Sequence, residues 1–282
     1  MSQAPVNQSQ IELWNGPGAE RWVSEQERLD RSFAPIDAIG MARAGARPGE
    51  RVIDLGCGCG GSTLQLADAV GAAGAVLGVD ISAPMLARAR ERGGARPWIT
   101  WLQADAALHP FSGDADLLYS RFGAMFFEAP AAAFANLQRA LRPSGRLCLI
   151  CWRSPEENPW YGVPMRAALS VLPPPAPSAP DAPGPFAFAA RERVSAILAA
   201  AGFAHIEFDA QDTALCISTT GLADAVDFAL QAGPVARLLA GTDRDTVASV
   251  QGAIAAALAS YASQERVALP AGVWIVTARA SQ

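Results

Sequence analysis

The stretch VIDLGCGCGGS, from Val52 to Ser62, constrains the fold more than any other part of the chain. A short apolar run carrying one acid, Asp54, meets four glycines within six positions and leads into STLQLADAV, whose apolar spacing predicts a helix. Strand, bare turn and helix in that order open a strand–helix–strand unit, which needs a parallel neighbour to close it. AVLGVD supplies that neighbour and ends at Asp80; Ser82 then caps a helix that tolerates Pro84 in its first turn and stops at Gly93-Gly94. WITWLQAD, ADLLYSRF and RLCLICW read as the third, fourth and fifth strands, the last preceded by a helix in PAAAFANLQRALRPSG. HIEFDA and VWIVTARA add two more near the end.

This alternation predicts an α/β fold, Rossmann-like, with a mostly parallel sheet and helices on both faces. In such sheets ligands sit outside the carboxyl ends of the strands. Those ends carry Asp54 to Gly60, Asp80, Asp105, Ser120-Arg121 and Cys151 to Arg153. Flanking the core, Ile11 to Ala44 reads as helix, LPPPAPSAPDAPGP from Leu172 as a stiff connector, and GLADAVDFALQAG through DTVASVQGAIAAALASYA as a helical lid or acceptor wall.

Composition removes several function classes. With 282 residues, 51% hydrophobic, the chain can bury one sizeable core. Its net charge of −5 provides no basic field for a phosphate backbone, so nucleic acid is not an expected partner. All 22 cationic residues are arginines; no lysine exists for a Schiff base or a phosphate-binding loop. Two histidines exclude a His-rich metal centre, and Cys57-x-Cys59 with Cys148-x-x-Cys151 fits no zinc pattern, so no metal is expected. The five cysteines read as free thiols. The N-terminal stretch lacks signal-peptide features and no apolar run reaches the ~18 residues of a membrane span, so a cytoplasmic location without a membrane span is expected. A homodimer is left open.

Gly56-x-Gly58-x-x-Gly61 formally matches a dinucleotide fingerprint, with Asp80 at the ribose position. Asp54, two residues before the first glycine, would repel a pyrophosphate and favour a cationic ligand. S-adenosylmethionine is such a ligand. Asp54 with the bare Gly56, Cys57 and Gly58 backbone can take its methionine portion, and the following helix N-terminus its carboxylate. Asp80 can accept both ribose hydroxyls, Asp105 and the Ala106 N–H can read the adenine edge, and Ile81 and Met85 can pack its faces. A nicotinamide oxidoreductase and a non-catalytic nucleoside sensor are the alternatives.

On VIDLGCGCG, VLGVDIS, LQADA and LRPSGRLCLICW, the chain resembles the class I S-adenosylmethionine-dependent methyltransferases related to the ubiquinone/menaquinone methylases. The likeness covers about residues 48–155 well. It implies a seven-stranded sheet with an antiparallel last strand, the cofactor S-adenosyl-L-methionine, a small-molecule methyl acceptor, and one domain. That domain divides into an N-terminal helical cover (1–47), a cofactor-binding core (48–155), a proline-rich connection (156–190) and a C-terminal part (191–282) with a helical insertion at about 219–264. Ser120 and Arg121 end the fourth strand near the expected methyl. Arg121 can orient an acceptor, unless it pairs with Asp116 or Glu128, and His109 is the candidate base. Trp14 is expected to face the cofactor, by resemblance alone. Phe122, Trp152, Trp160 and Tyr161 are expected to enclose an acceptor or form core.

Overall fold

The computed structural model describes residues 7–175, 179, 181–231 and 234–281. Its first elements are three helices, α1 (Gln8–Asn15), α2 (Pro17–Ser24) and α3 (Gln26–Ala44), where the sequence pattern suggested one continuous run from Ile11. The first break has a local cause. Pro17 disfavours helical geometry at the residue before it, and Gly16 is extended there (φ −91°, ψ −166°).

The core then alternates as expected through β1 (Arg51–Leu55), α4 (Gly61–Val70), β2 (Ala75–Asp80), α5 (Ala83–Gly93), β3 (Ile99–Gln103), β4 (Ala115–Arg121), α6 (Pro130–Ala140) and β5 (Leu141–Trp152). Next come α7 (Pro159–Leu169), α8 (Arg191–Ala200), β6 (Phe203–Ser218), α9 (Leu222–Gln231), α10 (Pro234–Leu238), α11 (Arg244–Leu258), the two-residue β7 (Ala262–Ser263) and β8 (Arg266–Ala280). The segment 156–190, expected as a connection, thus contains a helix, α7, with Pro159 at its first position. Of the proline-rich stretch, residues 176–178 and 180 lie outside the described residues.

The strands form one sheet in the order β3-β2-β1-β4-β5-β8-β6, with β7 paired to β8 alone. β1 to β5 are parallel; β8 runs antiparallel between β5 and β6. Apolar residues on the middle strands, among them Leu117, Leu118, Leu147 and Leu149, are fully buried, as strands covered by helices require. Strand order reverses at β1 and β4, so their carboxyl ends diverge and open a crevice.

β6 and β8 extend well beyond the expected HIEFDA and VWIVTARA. β5 covers β8 only from Val273 to Arg279; beyond that, Ala268 to Gly272 pair with β6 alone, from Asp212 to Cys216, as a two-stranded ribbon projecting past the sheet, and Val267 at its tip pairs with both Ser218 and Ala262 of β7. Pro270 is tolerated within β8 because that strand has a partner on only one side at that point. The expected insertion appears as α9, α10 and α11, hung between the two ribbon strands. Among the described residues, no helix is long and apolar enough to cross a membrane.

Candidate functional site

A cavity of ≈ 570 Å³ lies at the carboxyl ends of β1, β2 and β4, roofed by α1, α2 and α3. At its floor Gly56 has φ +66°, and a Cβ there would lie 2.7 Å from the Cα of Gly123 in the turn after β4. Only glycines let the two turns approach so closely. The Gly56 and Cys57 N–H groups both donate to the Val79 carbonyl, folding the turn back onto β2. Asp80 ends β2 beside it: one carboxylate oxygen accepts from the Gly58 N–H (2.8 Å) and the other from the Ser82 N–H (2.8 Å). Burial raises its pKa against these hydrogen bonds.

Gly56, Cys57, Gly58, Asp80, Ile81, Met85, Asp105, Ala106, Arg121 and Trp14 all line this one cavity, so most of the expected site residues come together. Three do not. Asp54 is fully buried behind the wall, where its Oδ2 accepts from the hydroxyls of Ser62 (2.7 Å) and Thr63 (2.6 Å) in the first turn of α4. Burial pushes its carboxyl up to about 6, and its Oδ1 has no partner among the described residues. Its place is under the helix, not against a ligand. Ser120 is likewise buried, donating to the Leu55 carbonyl (2.8 Å) and accepting from the Ala124 N–H; it ties β4 to β1. His109 sits in the surface turn after Asp105, edge-on to Phe111, and does not reach the cavity, which removes it as the base.

Arg121 lies against Asp37 of α3, an acid the sequence pattern did not single out, and donates from one guanidinium nitrogen to both carboxylate oxygens (2.7 and 2.5 Å). Its guanidinium also stands 5.0 Å over the Phe33 ring. Neither anticipated partner is used: Asp116 holds Arg142 and the Arg51 N–H, and Glu128 holds Asn7 and Ser9. The start of α4 holds a second surprise. A Cβ on Gly61 would lie 2.8 Å from Oδ1 of Asp30 and 3.6 Å from the second terminal nitrogen of Arg121, so a carboxylate and a guanidinium flank this one position. Gln26 and Arg92 hold Asp30 there (both 2.5 Å). The helix terminus expected to receive a ligand's carboxylate therefore has Asp30 in front and Asp54 beneath, a poor seat for a polyanion.

The opposite end of the cavity is aromatic and apolar. Phe122 follows β4 with a left-handed φ of +64°, a costly conformation for a bulky residue, and stacks on Trp152 at 4.0 Å with planes 8° apart. Phe33 and Trp160 pack against the same Trp152 ring. Tyr161 from α7, Leu215 and Ile217 from the ribbon, and Phe228 and Val235 from α9 and α10 complete the walls. Trp14 meets the cavity edge-on to Phe126 (5.1 Å). Cys148 and Cys151 are buried strand residues, the Cys148 thiol pushed up to about 12 by burial. Among the described residues, no three His, Cys, Asp or Glu side chains group so as to hold a metal ion.

Residues 52–145 match the family described as a methyltransferase domain. A demethylmenaquinone methyltransferase of Beutenbergia cavernae is 33% identical over 150 residues, 51% of this chain and 58% of that protein. A nocamycin O-methyltransferase of Saccharothrix syringae is 32% identical over 178 residues, 61% of this chain and 60% of its own. The chain thus spans little more than half the length of these relatives. Among solved structures, a protein from Bacillus halodurans described as a methyltransferase superposes with a TM-score of 0.57 at 18% identity, over 87% of this chain and 99% of that one. The cyclase SpnF superposes with a TM-score of 0.52 at 21% identity, over 89% and 81%. Both share the fold.

Proposed function

We propose that the chain is a class I S-adenosylmethionine-dependent methyltransferase that carries the methyl group of S-adenosylmethionine to a small, mainly apolar acceptor. The observation that carries this reading is the pair of opposite charges around Gly61. The α-amino acid end of the cofactor is a zwitterion: Asp30 matches its ammonium, and the Arg121 nitrogen not engaged by Asp37 matches its carboxylate. A diphosphate would meet Asp30 instead, which disfavours the nicotinamide alternative. Asp80 keeps lone pairs beyond those used by Gly58 and Ser82, the acceptor pattern a ribose diol needs. Asp105 and Ala106 suit the adenine edge, with Ile81 and Met85 as its apolar neighbours.

When bound, S-adenosylmethionine supplies an electrophilic methyl on a sulfonium. What the chain adds is position. Holding two reactants at near-attack geometry is worth up to ~7–11 kcal/mol, more than the ~10²–10⁴-fold from one acid–base group. Phe33, Phe122, Trp152 and Trp160 would sandwich a planar or aliphatic acceptor and exclude water. Arg121, neutralised by Asp37, acts as an orienting donor and not as a base. Work in the cytoplasm fits the five free cysteines.

Calorimetric titration with S-adenosylhomocysteine and with NADH tests the cofactor: micromolar binding of the first and none of the second is expected, and the reverse would overturn the reading. Release of S-adenosylhomocysteine across a panel of phenolic, enolic and thiol acceptors tests transfer. A cavity wall with neither His nor Lys among the described residues favours one second reading, in which an apolar substrate is converted without methyl transfer. Substrate conversion without cofactor consumption would establish it.

A further inference from the structure

We propose that helix α1 supplies the upper half of the nucleobase site, with Asn7 positioning the Asp105 carboxylate and Gln10 presenting its own carbonyl oxygen to a donor on the base. This rests on the adenosyl reading of the cavity given above. Asn7 precedes α1, is 3% exposed and takes a left-handed φ of +65°. Its side-chain amide nitrogen donates to both oxygens of Asp105, at 2.9 Å each, and its amide oxygen accepts from the Glu128 N–H at 2.9 Å. The Asn7 backbone N–H donates in turn to the Glu128 carboxylate (3.2 Å). One residue therefore joins the turn after β3 to the turn beyond β4. With the Ala107 N–H on Asp105 Oδ1 (2.9 Å), the carboxylate cannot rotate freely, and its orientation toward the cavity is set before any ligand arrives.

Gln10 lies three residues along, on the same face of α1 as Asn7, and also lines the cavity. It is 9% exposed, and its Oε1 has no hydrogen-bond partner among the described residues. A buried acceptor left unpaired costs free energy, so its presence in a ligand cavity points to a ligand donor. The Gln10 N–H donates to the Asn7 carbonyl (3.1 Å), so this acceptor stands one turn from the residue that clasps Asp105, at the nucleobase end. An exocyclic amine carries two N–H groups and satisfies both acceptors; a 6-oxo base puts a carbonyl oxygen against the Asp105 carboxylate, which has no proton to donate, and gains at most one bond, from the Gln10 amide turned over. Further along, Asn15 pins α1 to the start of α5, donating to the Ile81 carbonyl (3.1 Å) and accepting from the Ala83 N–H (2.9 Å). That contact touches neither acceptor.

The test compares dissociation constants of S-adenosylhomocysteine and S-inosylhomocysteine by calorimetry on the full chain, with melting curves to verify folding. The native protein should prefer the adenosyl compound by ~100-fold or more, since a site built for a donor leaves its acceptors unpaired with the wrong base. Gln10→Leu should weaken the adenosyl compound by ~10-fold and the inosyl compound by less, shrinking the ratio. Asn7→Ala should shrink it too, by freeing Asp105 to turn away from the inosyl oxygen. Asn15→Ala, which loosens α1 without touching the base, should weaken both compounds equally and keep the ratio. Unchanged ratios in Gln10→Leu and Asn7→Ala, or a ratio that shrinks in Asn15→Ala as much as in those two variants, would overturn this inference alone. Failure of the native chain to bind S-adenosylhomocysteine would overturn the cofactor reading, and this inference with it.

Discussion

The two ends of the cavity are built by opposite means. At the cofactor end, turns directly after β1, β2 and β4 supply backbone N–H groups, a glycine-to-glycine contact and carboxylates at strand tips, all inside the segment 52–145 that matches the family. At the acceptor end, side chains arrive from α3, α7, the projecting ribbon and α9 to α10, and the surface they make is defined by packing. A site made of backbone is set by sheet geometry and tolerates little change. A site made of packed side chains can be repacked while the sheet stays as it is. The segment that builds most of the first end, 52–145, is the one the chain shares with the methyltransferase-domain family.

Breaking the cofactor end should have the largest effect. Asp80→Ala removes two charge-assisted acceptors and frees the Gly58 and Ser82 N–H groups, so affinity for S-adenosylhomocysteine should fall by ~100-fold or more, read by calorimetry. Gly56→Ala combines a left-handed backbone with a Cβ driven onto Gly123, and should cost about 2 kcal/mol or more of unfolding free energy in a denaturant titration. Trp160→Ala should sharpen the contrast from the other side: turnover of an aromatic acceptor falls roughly tenfold, while S-adenosylhomocysteine affinity stays within about twofold. If cofactor affinity fell as far as turnover, the two ends would not be separable.

The smallest effect concerns Asp54. Its carboxyl titrates at about 6 in the folded chain against an ordinary 3.8, so the folded state holds a proton that the unfolded chain has released. Its contribution to stability is therefore fully present below pH 3.8 and lost as pH rises through about 6. Asp54→Asn should flatten the slope of stability against pH across that window. A slope equal to that of the native chain would show that Asp54 is ionised throughout.

How much of this was legible in the sequence follows the same division. The strands, the glycine turn and Asp80 could be read because each depends on residues a few positions apart, and the mostly parallel sheet followed from the alternation of strand and helix. The contacts of Asn7, Asp30 and Asp37 could not, because each joins a helix from the first 45 residues to a turn many positions later, a choice made by packing and not by local pattern. Asp54 shows the limit most clearly. Its position before the glycines suggested ligand contact, but Ser62 and Thr63 draw it beneath α4, and only Asp30, from another helix, puts negative charge where it was expected. The ribbon was hidden by Pro270, whose tolerance depends on the end of β5.

That ribbon has a consequence for how such a protein can diversify. Ser218 and Val267 are paired across it, so the 48 residues between them leave and re-enter at points ~5 Å apart. Any replacement whose ends span that gap meets the closure condition, and lengthening it costs only ~0.6 kcal/mol per doubling. The helices over the apolar end of the cavity can thus be exchanged like a cassette, by recombination or by design, with the glycine-turn end carried over intact.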